Sequence, residues 1–89
     1  MREKDDLTRG WIKKARSNMA ALDALIAAGS FDTACFHAQQ AAEKLLKAFL
    51  THFTVAFPAT HNLAKLVELA ARVDPSLREL TATIDHLAS

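Results

Sequence analysis

Breakers and cross-linkers are scarce here: one cysteine, two glycines and two prolines in 89 residues, with no tyrosine. A lone Cys35 cannot close an internal disulfide, and it cannot supply a thiolate zinc site alone. Its plain reading is a small buried apolar residue in a reducing compartment. So few glycines and prolines leave long uninterrupted segments. Charge of one sign is also lacking. A net charge of +1 gives no global field toward nucleic acid or an anionic membrane, and leaves only a local basic patch as a route to such partners. No apolar run approaches the roughly 18 residues that mark a membrane span. The opening residues MREKDD are charged with no apolar core behind them, so no signal peptide and a cytoplasmic location are expected.

What is present is helical patterning. Apolar residues make up 51% of the chain, too many for a disordered segment, and the length suits one domain spanning residues 1–89. A first helix is expected over residues 6–28, capped by Asp6 or Thr8 and stopped by Gly29. Trp11, Ala15, Met19, Leu22 and Ile26 form its apolar stripe, with Ile12 and Leu25 alongside. Ala20, Ala24, Ala27 and Ala28 make a second side of small residues that would let another helix approach closely. Residues 32–53 form a second helix begun by Ser30 or Asp32. Its apolar arc is wide, containing Cys35, Ala38, Ala41, Ala42, Leu45, Leu46, Phe49, Leu50 and Phe53. A helix apolar most of the way round is surrounded by others, so the second helix is placed at the centre. Gln39 falls inside that arc and needs a partner in the core or at an interface. A loop ending near Pro58 leads to a third helix over residues 60–73, capped by Thr60. Asp74-Pro75 then opens a fourth, with Leu77, Leu80, Ile84 and Leu87 as its stripe. Short connections between four helices imply an all-α, up-and-down four-helix bundle.

Chemistry-bearing residues are few. His37, His52, His61 and His86 include no pair three or four apart, so no helical metal pair exists and neither metal nor cofactor is expected. No glycine-rich phosphate loop is present, and nothing supports a Ser/His/Asp or Cys/His catalytic set. The narrow polar strip of the second helix holds His37, Gln40, Lys44 and Lys47, with Glu43 at its border. Lysines there could hold a phosphate as point charges, while the imidazole and amide could bond a base or sugar. His61 opens the third helix, where free backbone amides favour an anion. These five residues are the candidate ligand site. The plainer readings are a solvated helix face for the strip and a loop-fixing contact for His61.

The stretch ACFHAQQAAEKLLKAFL (34–50), preceded by Ser30-Phe31-Asp32-Thr33 and followed by Pro58, Thr60-His61-Asn62-Leu63 and Leu66, resembles the HEPN family, named for higher eukaryotes and prokaryotes nucleotide-binding domains. It closely matches that family's second helix, and THNL is similar to the start of its third. The resemblance implies a helical bundle, usually a homodimer. It also implies a frequent neighbour, a minimal nucleotidyltransferase, in a toxin–antitoxin-like pair. Several members are proposed to bind nucleotides, and many others are metal-independent ribonucleases. The ribonuclease signature is an arginine followed by a histidine after four to six residues. Arg2, Arg9, Arg16, Arg72 and Arg78 are not followed by a histidine at that spacing, seven residues separating Arg78 from His86. The Ala-Arg-Tyr-Pro-like segment of a further helix is likewise missing, since there is no tyrosine. A minimal or truncated, non-catalytic binding module is therefore expected, with a ribonuclease toxin using an altered site as the alternative. RNA is left open as a partner and a membrane is not expected.

Overall fold

The computed structural model describes residues 2–79. Helix α1 runs Arg2–Ala27, α2 Phe31–His52 and α3 Leu63–Ala71, followed by a 3-10 turn at Pro75–Glu79. Among the described residues there is no strand, and no helix is long and apolar enough to cross a membrane. The fold is thus all-helical, but a four-helix bundle is not what the described residues display. The expected fourth helix begins as a 3-10 turn, and Leu80, Ile84, His86 and Leu87 lie outside the described residues.

The ends of the elements follow local chemistry. Helix α1 starts well before Asp6, because nothing between Arg2 and Thr8 breaks a helix, and Glu3 and Asp5 complement its N-terminal dipole. Thr8 is no cap: its hydroxyl donates back to the Lys4 carbonyl at 2.9 Å. Gly29 takes φ 79°, the left-handed conformation expected of a residue that ends a helix. The Gly29 and Ser30 amides return to the Ile26 and Leu25 carbonyls. At α3 the cap is Asn62 instead of Thr60. The Asn62 side chain accepts from the Lys65 amide at 3.2 Å, while the Thr60 hydroxyl accepts from the Asn62 amide at 3.1 Å. Thr60 therefore shapes the approach, and Asn62 satisfies the helix. Asp74 does accept from Ser76 as a start signal should.

Helices α1 and α2 form an antiparallel pair. Asn18 meets His37 near one end, and Trp11 meets Lys44 and Lys47 toward the other. Ala15 is fully buried, and Ala34, Ala41 and Ala48, each buried, recur every seven residues along α2. These alanines lie on the side of α2 that carries His37 and Lys44, so close approach uses them and not the small-residue side of α1. Ala20, Ala24, Ala27 and Ala28 are exposed.

The connection 53–62 then brings the chain back along α2 as far as Glu43, which His61 touches. From there Leu63 and Val67 pack on Ala42 and Leu46, and Leu66, Leu69 and Ala70 gather about Leu50 with Phe49, Val55, Phe57 and Leu77. Up-and-down alternation is displayed by the α1–α2 pair.

Helix α2 touches both other described helices, yet part of its apolar surface is exposed. Cys35 is exposed, and so are Phe31, Phe36, Leu45 and Phe53. On α1, Met19 and Ile26 are exposed although they belong to the apolar stripe. The half-buried Gln39 is not without a partner.

Candidate functional site

The polar strip of α2 does share one face, but that face turns toward α1 and the 53–62 connection rather than into open solvent. Lys47 is buried at 5% exposure and Glu43 at 1%. His37, Gln40 and Lys44 are half-buried.

Glu43 is the hinge of the arrangement. Its Oε1 accepts from Lys47 Nζ at 2.8 Å, lies 2.7 Å from His61 Nδ1, and has Lys44 Nζ at 3.6 Å. The Glu43–Lys47 spacing is the i,i+4 relation that brings two side chains over one another on a helix. His61 arrives from the far side, positioned by the Thr60–Asn62 turn, and its side chain stays 81% exposed. With a carboxylate as its partner, the neutral His61 ring carries its proton on Nδ1, which donates to Glu43 and leaves Nε2 free.

Burial alone would raise the Glu43 pKa. Hydrogen bonds from Lys47 and His61 and the charges of Lys44 and Lys47 outweigh it and hold the carboxyl below its ordinary 4.5. Such a group contributes its full stability above its unfolded value and loses it as pH falls through the lowered folded value. Unfolding free energy, measured by urea titration at a series of pH values, should therefore hold above the carboxyl's ordinary 4.5 and decline as pH falls below it. Glu43→Gln should flatten that fall; an unchanged slope would assign the acid sensitivity to other carboxylates.

Above this layer lies Trp11. Lys14, Lys44 and Lys47 place their ammonium groups 4.9, 5.7 and 5.3 Å from its ring, within reach of cation–π attraction. Phe57 meets the same indole edge-on at 6.4 Å. The lysine stems run along apolar surface, and this makes burial of their carbons favourable. Among the described residues no buried side-chain nitrogen or oxygen lacks a partner, and no group of three metal-ligating side chains exists.

Of the five residues picked from sequence, Lys44, Lys47 and His61 come together around Glu43. Gln40 lies on the same face of α2, one turn before Lys44. His37 stands further along, its Nδ1 2.9 Å from Asn18 Oδ1 of α1. Trp11, Lys14 and Glu43 escaped the sequence reading. Trp11 reads as core at its period, and Glu43 as a border residue. The i,i+4 Glu43–Lys47 pair was the signal for the latter, while nothing local links Trp11 to residues 33 or more positions away.

The two helices of the hairpin and the connection that follows them hold a cationic cluster over an indole in an all-helical domain. The HEPN domain model matches residues 8–89, and the chain belongs to the HEPN domain family. Membership places its function among nucleotide- and RNA-related ones. No curated protein and no solved structure matches it.

Proposed function

We propose that the chain is a non-catalytic HEPN-type binding and interaction module. It takes a phosphate-bearing ligand, a nucleotide in the simplest case, at the cluster of Trp11, Lys14, Lys44, Lys47 and His61. It works in the cytoplasm as a homodimer beside a minimal nucleotidyltransferase, in a toxin–antitoxin-like pair. The observation that carries the ligand reading is the convergence of three ammonium groups on one indole, with a fourth nitrogen, from His61, presented at the rim. The dimer is supported by the apolar surface left open on α1 and α2. The test is a titration of ATP followed through backbone amides: Lys44, Lys47 and His61 should shift together. Amides that stay fixed at millimolar ATP would remove the ligand reading.

One observation favours a second reading. A buried carboxylate orienting an exposed imidazole is a general-base arrangement, and lysines stand beside it to stabilise a phosphoryl oxygen. An RNA-cleaving toxin with an altered site would use His61 as base. RNA cleavage in the presence of a chelator, lost in His61→Ala, would establish this reading and displace the first. On the binding-module reading, purified chain leaves RNA intact.

A further inference from the structure

The polar groups that the cluster offers are unlike those of a base-reading pocket. Lys14 is exposed, Lys44 is half-buried, and His61 projects into solvent. All but the imidazole are donors only. The sole carboxylate among these side chains, Glu43, is sealed at 1% exposure, with Oε1 already engaged by Lys47 and His61. Reading a nucleobase edge needs acceptors as well as donors, since base edges carry both. Stacking on a base needs a free aromatic face. The Trp11 ring instead holds three ammonium groups within 6 Å and packs against Phe57 in a T-shaped contact at 6.4 Å. A cation and a base compete for the same π surface. Charge gives the complementary argument. Three ammonium groups less one carboxylate leave +2 with His61 neutral, a balance suited to a chain of phosphates.

From these facts we propose that the cluster recognises the phosphate chain of its ligand and does not read the base. This inference rests on the ligand reading above and names the ligand class: condensed phosphates, whether free or carried on any nucleoside. Glu43 acts as a positioning residue beneath the site, fixing Lys47 and the His61 tautomer. Lys14, Lys44 and His61 Nε2 are the groups that meet phosphate oxygens.

The chain reports on itself, because Trp11 is its only tryptophan and it has no tyrosine. Intrinsic fluorescence of the full chain should change on addition of inorganic tripolyphosphate, ATP or GTP, with affinities agreeing within about threefold, and should not change with adenosine at the same concentrations. Lys14→Gln, a change at an exposed position, should weaken tripolyphosphate about tenfold, as loss of one charge contact does, while lowering the melting temperature by no more than a few degrees. Adenosine binding, or more than about tenfold discrimination between ATP and GTP, would overturn the inference while leaving the ligand reading intact. Silence of all four probes, in fluorescence and in the amides of Lys44 and His61, would overturn both. Unaltered tripolyphosphate affinity in Lys14→Gln would likewise refute the assignment of the phosphate chain to this cluster.

Discussion

Replacing Glu43 by methionine is expected to lower the unfolding free energy by about 3–5 kcal/mol, the cost of leaving a buried charge without its partner. Lys47 is 5% exposed and its ammonium group sits 2.8 Å from the carboxylate. With Glu43 gone, Lys47 must surrender its proton, keep an uncompensated charge, or drag its stem toward solvent through the α1–α2 contact. A domain of this size has about 5–15 kcal/mol in all, so the variant should unfold at a small fraction of the wild-type urea concentration. The pair itself is a different matter. Burial of both charges costs about as much as their attraction returns, so Glu43→Met combined with Lys47→Met should recover most of the loss. Urea unfolding of the two singles and the double, followed by circular dichroism, gives the coupling directly. A Glu43→Met variant within about 1 kcal/mol of wild type would mean that the ion pair is a solvated surface contact, and the site would lose its rigid floor.

Much of the backbone was legible in the sequence, and the orientation of α2 was not. The glycine at 29 and the Asp74-Pro75 signal each act within a few residues, where local sterics and capping decide. So the places of the first three helices could be read, whereas the expected fourth is, among the described residues, a 3-10 turn at Pro75–Glu79. The facing of α2 is a tertiary choice. Hydrophobicity alone would point Cys35, Leu45 and Phe53 inward and leave Lys44 and Lys47 outside, yet the described residues do the reverse. Three terms invert the expectation. Alanines at every seventh position let α1 come close, lysine stems can lie on Trp11 with their charges satisfied there, and Glu43 neutralises what is buried. None of these has a local signature, because Trp11 and His61 reach α2 from distant parts of the chain. The same cause explains the site. Lys44, Lys47 and His61 were found because helix period and the start of α3 are local. Trp11 and Lys14 join them only through the α1–α2 pairing.

Leu45→Glu is expected to turn a dimer into a monomer. With Asn18 beside His37 and Trp11 beside Lys44 and Lys47, the antiparallel pairing brings Ile12, Met19 and Ile26 of α1 within about one helical turn of Leu45, Ala38 and Phe31 of α2. Each column advances by seven residues, so by the helix period both fall on the side of the pair away from the lysine cluster. Leu45, Met19, Ile26 and Phe31 are 46–64% exposed there, a two-helix apolar face of the kind that a second hairpin completes into a four-helix arrangement. A second copy offers the same two columns, and a twofold axis across the face would set apolar residues against apolar residues. Leu45 lies in the middle of α2, on a different side of the helix from Lys47 and Glu43 by the helix period. Leu45→Glu would place a charge without a partner at the centre of that contact, weakening association about a hundredfold or more. Sedimentation should show dimer for wild type and monomer for Leu45→Glu, with tripolyphosphate binding retained because the lysine cluster faces the other way. A wild-type chain that sediments as a monomer at high micromolar concentration would sink the dimer. A Leu45→Glu chain that stays dimeric would move the contact to another surface, and the exposed columns of α1 and α2 would then need a different occupant.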